Sequence, residues 1–301
     1  MSLHARVGSA LGREVHPAVR DIAARLAGEV DALGVLFYGS NLRTGSREGV
    51  LDFYVLTHGP PEKGLWPRVS YREWDDGGEV LRAKIATMTL AKFAQAARGE
   101  TLDTTIWARF VQPSALVWQR DAGAAVQIQS AIEAAAITAA RLAVAVGPDS
   151  GEEDAFWRAL FQATYRAELR VEKPGREDSI LSLNQAHFDG LLPAALTAGG
   201  IPFGKEGRII TPRMPVARRA AVMKWWHKRR RMGKPLNIAR LVRATRTFEG
   251  AGRYAAWKIE RHTGEKIALT PFREKHPILS APAVAIKLWR SRRRNATDDQ
   301  R

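Results

Sequence analysis

Cysteine is absent from the 301 residues, which removes disulfides, thiolate metal sites and cysteine nucleophiles at once. That absence fits a cytoplasmic setting, where thiols gain no structural use from oxidation. No two of the seven histidines stand at metal-ligand spacing, so no zinc site is expected. Long apolar runs are also lacking. The richest stretch, Ala131 to Val146, is broken by Glu133, Thr138 and Arg141. It falls short of the roughly 18 apolar residues that span a bilayer and reads as a buried helix. The first residues carry His4, Arg6 and Arg13 without the apolar core of a secretory signal. No internal repeat is visible.

What is present is a globular composition, 45% hydrophobic and 26% charged, on a chain long enough for one large domain or two ordinary ones. Charge is unevenly spread. Residues 201–301 hold 26 Lys and Arg against 7 Asp and Glu, whereas residues 1–200 hold 21 against 24. Such asymmetry points to an anionic partner for the last third: a membrane surface, a phospholipid headgroup or nucleic acid.

Hydrophobic spacing predicts a helix over His16 to Val30, a buried strand over Gly34 to Tyr38 and a second over Val50 to Leu56. Val69 to Trp74 and Val80 to Met88 read as further strands about the turn Asp75 to Gly78, and Thr89 as the N-cap of a helix to Ala97. Beyond Asp121 the pattern is helical: Ala122 to Val146, Glu152 to Arg170 and Ile180 to Ala198. A Gly- and Pro-rich linker is expected over Gly199 to Pro215. Three helices should follow: Val216 to Arg231, Ile238 to His262 and Pro282 to Arg294. The expected organisation is a catalytic domain over 1–120, a helical domain over 121–200 and a basic, mainly helical, membrane-associating region over 201–301.

One constellation carries chemistry. A strand ends in Phe37-Tyr38-Gly39-Ser40, and the next strand delivers Leu51-Asp52-Phe53. Nucleotidyl transfer has a use for this arrangement. Glycine lets backbone approach a phosphate closely, and a serine hydroxyl with backbone N–H groups donates to its oxygens. A carboxylate on the neighbouring strand can hold Mg²⁺ against the same phosphates. The bland alternative is a plain turn and an aspartate facing solvent from a half-exposed strand. Polymerase-β-like enzymes generally carry a second acid two residues after the first; here that position is Tyr54.

These residues resemble those of the mitochondrial-type phosphatidate cytidylyltransferases, the translocator assembly and maintenance family. Their first motif reads like Tyr38-Gly39-Ser40 followed by Leu51-Asp52-Phe53 with no second acid close behind. Similarity continues in order through Lys84, through Trp107 to Pro113 with Arg109 on an arginine, and through Tyr165 to Arg170 with Glu168 on an acid. Glu172 and Arg176 fall near a Glu and a Lys. The similarity covers roughly Val35 to Leu192. Gln112 stands where the family has lysine and Ala167 where it has glycine. The resemblance implies an α+β fold with a polymerase-β-like nucleotidyltransferase domain and a small mixed sheet, followed by helical segments. It implies transfer of cytidylyl from CTP to phosphatidate with Mg²⁺ as cofactor. Asp52 and Glu168 would be metal ligands, and Ser40 and Lys84 would serve catalysis. Tyr38, Gly39, Ser40, Arg109 and Arg176 would bind substrate. Read on the residues alone, Glu168 is equally a solvated ion-pair member among Arg166, Arg170 and Glu172, and Lys84 beside Arg82 could line a sheet edge. His187 reads as packed rather than catalytic.

In the basic third, Trp225-Trp226 precedes His227 to Arg231, and Trp289 precedes Arg290 to Arg294. Tryptophan followed by cations suits a bilayer interface, so a cytoplasmic, peripherally membrane-associated protein is expected. The same composition also binds nucleic acid. Two other functions stay open on sequence: a nucleotidyltransferase acting on RNA or protein, and a non-catalytic membrane- or nucleic-acid-binding protein with a vestigial site.

Overall fold

The fold follows from which apolar stripes must be covered, and a computed structural model describes it for residues 1–65, 67–167, 176–247, 250–263 and 270. The chain begins with α1 (Leu3–Leu11), capped by the Ser2 hydroxyl, and α2 (Pro17–Val30), which has proline in its first turn. Strand β1 (Ala32–Tyr38), the short α3 (Ser40–Thr44) and β2 (Leu51–Thr57) follow. Then come β3 (Arg68–Asp76), β4 (Glu79–Thr89), α4 (Leu90–Ala97), α5 (Thr105–Phe110) and β5 (Ser114–Gln119). The Thr89 hydroxyl accepts from the Lys92 N–H and so starts α4 as its sequence predicts.

The five strands form one mixed sheet in the order β3-β4-β2-β1-β5. Only β2 and β4 run parallel; the other neighbours are antiparallel. β2 lies at the centre of the order. Its run Leu-Asp-Phe-Tyr-Val-Leu is apolar apart from Asp52, as expected for a strand covered on both faces. On one face Val35, Phe37, Phe53, Val55 and Ile85 pack against Val19, Ile22, Ala23 and Leu26 of α2. On the other, Leu36, Tyr54, Leu56 and Met88 meet α4, α5 and the helix that follows β5.

That helix, α6 (Ala122–Val146), has the length and composition of a membrane span, but 67% of its most apolar stretch is buried within the chain. Alanine at its contact positions lets α1, α4, α5 and the later helices approach closely. The two-residue β6 (Gly151–Glu152) leads into α7 (Glu153–Ala167). Next come α8 (Arg176–Leu183), α9 (Gln185–Phe188) and α10 (Leu191–Ala198), three short helices where the periodicity predicts one.

The expected linker over Gly199 to Pro215 is instead structured. Strands β7 (Phe203–Glu206) and β8 (Ile209–Pro212) form a hairpin that joins β6 in a second sheet, with Ile210 fully buried. A second correction concerns the first basic helix. α11 (Val216–Thr247) runs straight through Pro235, where proline should end it. Tertiary contacts on both sides override the local penalty. Trp226 anchors the first half, and the ion pair between Arg240 and buried Asp103, 2.8 Å, anchors the second. At the crossing with α7, a Cβ on Gly233 would lie 2.2 Å from the Ala167 carbonyl oxygen. The last element among the described residues, α12 (Ala251–Thr263), turns back from Gly250 onto edge strand β3, where Tyr254 packs on Tyr71. The expected helix Pro282 to Arg294, with Trp289, lies outside the described residues.

The tryptophan pair does not face outward as a bilayer anchor would. Trp226 is 3% exposed, and both indoles pack against Trp107. The Trp225 indole N–H donates to the Gly99 carbonyl at 2.9 Å, and the Arg229 guanidinium lies 4.0 Å over its ring. Trp226→Ala should therefore lower unfolding stability by about 3–5 kcal/mol in urea titration. A surface anchor would change it by no more than about 0.5 kcal/mol.

Candidate active site

In-register pairing sets one row of residues across all five strands. Ser114 pairs Tyr38, Tyr38 pairs Asp52, Asp52 pairs Lys84 and Lys84 pairs Tyr71. Directly paired residues share a face, so these side chains lie side by side. The face is that of Leu36 and Tyr54, the one covered by α4, α5 and the helix after β5. Lys84 does not line a sheet edge, because β4 lies between β3 and β2.

Tyr54, two residues after Asp52 on the same face, is fully buried. Its ring lies 5.3 Å from Phe110 and 5.9 Å from both Phe93 and Tyr38. The place of a second strand acid is thus filled by an aromatic cluster.

After Tyr38 the chain turns at Gly39, whose φ of 92° and ψ of −160° are open in practice only to glycine. Space imposes the same choice: a Cβ there would stand 2.9 Å from Asp52 Oδ2. The turn and the carboxylate are therefore in close approach. Asn41 holds the turn in place, with Nδ2 donating to the carbonyls of Ser46 (2.9 Å) and Glu48 (2.7 Å). The Ser40 side chain is exposed and within reach of the Asn41 side-chain oxygen at 3.3 Å.

Tyr38, Gly39, Ser40, Asp52, Lys84 and Arg109 all line one cleft of about 270 Å³. Sequence reasoning named these six. It overlooked Arg43, which also lines the cleft from the last turn of α3. Its spacing of three from Ser40 was the available signal, since that separation puts two residues on one side of a helical turn. Gln112, Pro113, Tyr165 and Ile180 complete the described lining. Glu168 and Glu172 lie outside the described residues, as does the side chain of Arg176 at the start of α8.

The electrostatics favour anions. Among the described lining residues Asp52 is the only acid, facing Lys84, Arg109 and Arg43. Burial raises the Asp52 carboxyl above its usual pKa, and the charges of Lys84, Arg109 and Arg43 oppose that rise without cancelling it. Burial also pushes the Tyr38 phenol up, against the opposing charge of Arg109, so it stays protonated and able to donate. The Arg109 guanidinium lies 5.3 Å over the Tyr38 ring, a cation–π contact that orients it. From the far side Tyr254 of α12 comes close enough for Asp52 to raise its phenol pKa, after the larger effect of burial. His187 stands apart from this cleft, packed as its sequence context suggests and bonded to the Val111 carbonyl at 2.9 Å.

No protein-family model matches the chain, and no curated protein matches it either.

Two expectations follow. A folded-state carboxyl pKa above the unfolded one stabilises the protein only below the unfolded pKa, and that contribution is lost as pH rises through the folded one. Asp52→Asn should therefore raise the ligand-free melting temperature at pH 7, with the difference fading as pH falls toward 3.8. Melting curves for both proteins across that range check it. Gly39→Ala should cost about 1–3 kcal/mol of stability from the backbone alone, measurable by denaturant unfolding.

Proposed function

We propose that the protein is a polymerase-β-like nucleotidyltransferase that transfers cytidylyl from CTP to phosphatidate, giving CDP-diacylglycerol and pyrophosphate. One observation carries the reading: a strand-borne carboxylate lies against a glycine turn inside a cleft whose other charged residues, among those described, are three cations. An isolated carboxylate in that setting weakens a simple anion site, and its presence makes sense if a cation arrives with the anion. The choice of cytosine and of a lipid acceptor comes from the resemblance of Tyr38-Gly39-Ser40 and Leu51-Asp52-Phe53 to the cytidylyltransferase motif.

The donor set fits Mg²⁺ of one kind. Among the described residues no group of three acids or histidines could hold a resident ion. Mg²⁺ commonly uses one or two carboxylates together with substrate phosphates and water. Asp52 would hold an ion delivered with the triphosphate. When bound, the ion would supply positive charge to phosphate oxygens as the α–β bridge breaks.

The remaining work falls to the chain. The Gly39 backbone admits a phosphate close to the turn, and the exposed Ser40 hydroxyl donates to it. Lys84, Arg109 and Arg43 compensate the charge of the triphosphate and of the departing pyrophosphate. An acceptor phosphate oxygen forms the new bond to the α-phosphorus while the bond to the β-phosphate bridge oxygen breaks, and its electrons leave with pyrophosphate. A phosphomonoester has a second pKa near 6 and is already largely ionised at neutral pH, so no general base is required. Positioning and charge neutralisation supply the catalysis.

The test pairs each nucleoside triphosphate with phosphatidate, RNA and protein acceptors in the presence of Mg²⁺ and follows pyrophosphate release. CTP with phosphatidate should turn over, Asp52→Ala should abolish it, and Lys84→Ala or Arg109→Ala should each lower kcat/KM by about 10²- to 10³-fold. Turnover with an RNA or protein acceptor alone would move the protein to another substrate class. Undiminished turnover in Asp52→Ala would remove this carboxylate from the mechanism.

A further inference from the structure

A second cavity adjoins the cleft, separated from it by the end of α5. It has a volume of about 400 Å³, within the usual range for small-ligand pockets. Its walls are apolar: Val7 and Leu11 from α1, Phe110 and Val111 from α5, and Ile132 from α6. Gln112 lines both spaces, so the pocket and the cleft are neighbours at this residue. The α5 segment divides its residues between them, with Arg109 toward the cleft and Phe110 toward the pocket.

Among the described residues, the charged side chains lining the pocket are two arginines. Arg13 is exposed, and Arg6 is tied to the Asp189 carbonyl. His187 also lines the walls and is held neutral. Burial pulls its pKa down to about 4, the Val111 carbonyl opposes that shift, and the Arg13 and Arg6 charges add to it. The result is an uncharged apolar interior with guanidiniums beside it, next to a polyanion cleft. A sugar has no apolar part to fill such a space, and a nucleobase offers only a flat ring edged with hydrogen-bonding groups. A molecule with a phosphate head and a hydrocarbon tail fits both halves.

We propose that this pocket between α1, α5 and α6 takes an acyl chain of an anionic glycerolipid whose phosphate reaches the cleft past Gln112, an assignment that rests on the nucleotidyl-transfer reading for the destination of that phosphate. Each methylene buried contributes about 0.8 kcal/mol, so affinity should climb with chain length until the pocket is full. Arg13, exposed at the pocket, adds positive charge that favours a lipid with an anionic head over a neutral one.

Binding, rather than turnover, separates this site from the reaction. The full-length protein is titrated calorimetrically with dibutanoyl, dihexanoyl and dioctanoyl phosphatidate below their micellar concentrations. A dioctanoyl analogue with a terminal diazirine is photo-crosslinked in parallel and its adducts are mapped by mass spectrometry. Wild-type affinity should rise by at least about 10-fold across the series, and label should fall on α1, α5 or α6. Ala10 lines the pocket from α1 and is only half-buried, so Ala10→Trp fills the space from its side. That variant should flatten the chain-length dependence and lose the label. Arg13→Glu, an exposed change, should weaken binding of every member of the series even if Ala10→Trp fails to fold. Label elsewhere, a flat wild-type series, or an unaltered series in folded Ala10→Trp or Arg13→Glu protein overturns the assignment. Intact labelling with no pyrophosphate release would overturn the reaction and leave the pocket standing.

Discussion

The contact between Gly39 and Asp52 constrains the rest of the site. The turn can take its course only without a Cβ, because the carboxylate oxygen of the neighbouring strand occupies that space. Pairing of Tyr38 with Asp52, and of Asp52 with Lys84, then fixes the lateral order of phenol, acid and amine. Arg43 and Arg109 come from the helices α3 and α5, so the cationic side of the cleft is built from elements added to the sheet. An acid kept partly buried against these cations is an unrelieved cost in the ligand-free protein, as the upward direction of its pKa states. Under the proposed reading, a cation arriving with the ligand would remove that cost.

The central sheet and its turn were legible because their signals are local. Apolar runs bounded by glycine, a threonine cap and a Gly-Gly turn predict β1, β2, β3, β4 and the start of α4, and the structure has them. The mixed α+β class, with a five-stranded mixed sheet, also agrees. Asp52 stood out as a charge inside an apolar strand. What escaped depends on distant partners. β5 pairs with β1 across some eighty residues of chain, and β6 acquires a strand partner only when β8 returns to it. The run through Pro235 depends on anchors at Trp226 and Asp103, which no local window contains.

The basic third illustrates how composition misleads when burial is unknown. Two tryptophans ahead of a cation run match a bilayer interface in sequence, yet here they close the core over Trp107, with Arg229 and Arg141 flanking Trp225. α12 adds a second role, carrying Tyr254 to the neighbourhood of Asp52 and stacking Trp257 between Arg82 and Arg261. Part of the positive charge of this region is therefore structural, with Arg229 packed on Trp225 and Arg240 paired with Asp103. A peripheral membrane role for the remainder stays a proposal that the lipid acceptor would require.

Magnesium linkage offers the most direct check on the central claim. Nucleotide affinity is measured for wild-type and Asp52→Asn protein, with and without Mg²⁺, using a non-hydrolysable CTP analogue. If Asp52 grips a metal-bound triphosphate, Mg²⁺ strengthens binding to the wild type, and most of that gain disappears in the variant. An equal Mg²⁺ dependence in both proteins, or no nucleotide binding by either, would contradict the account.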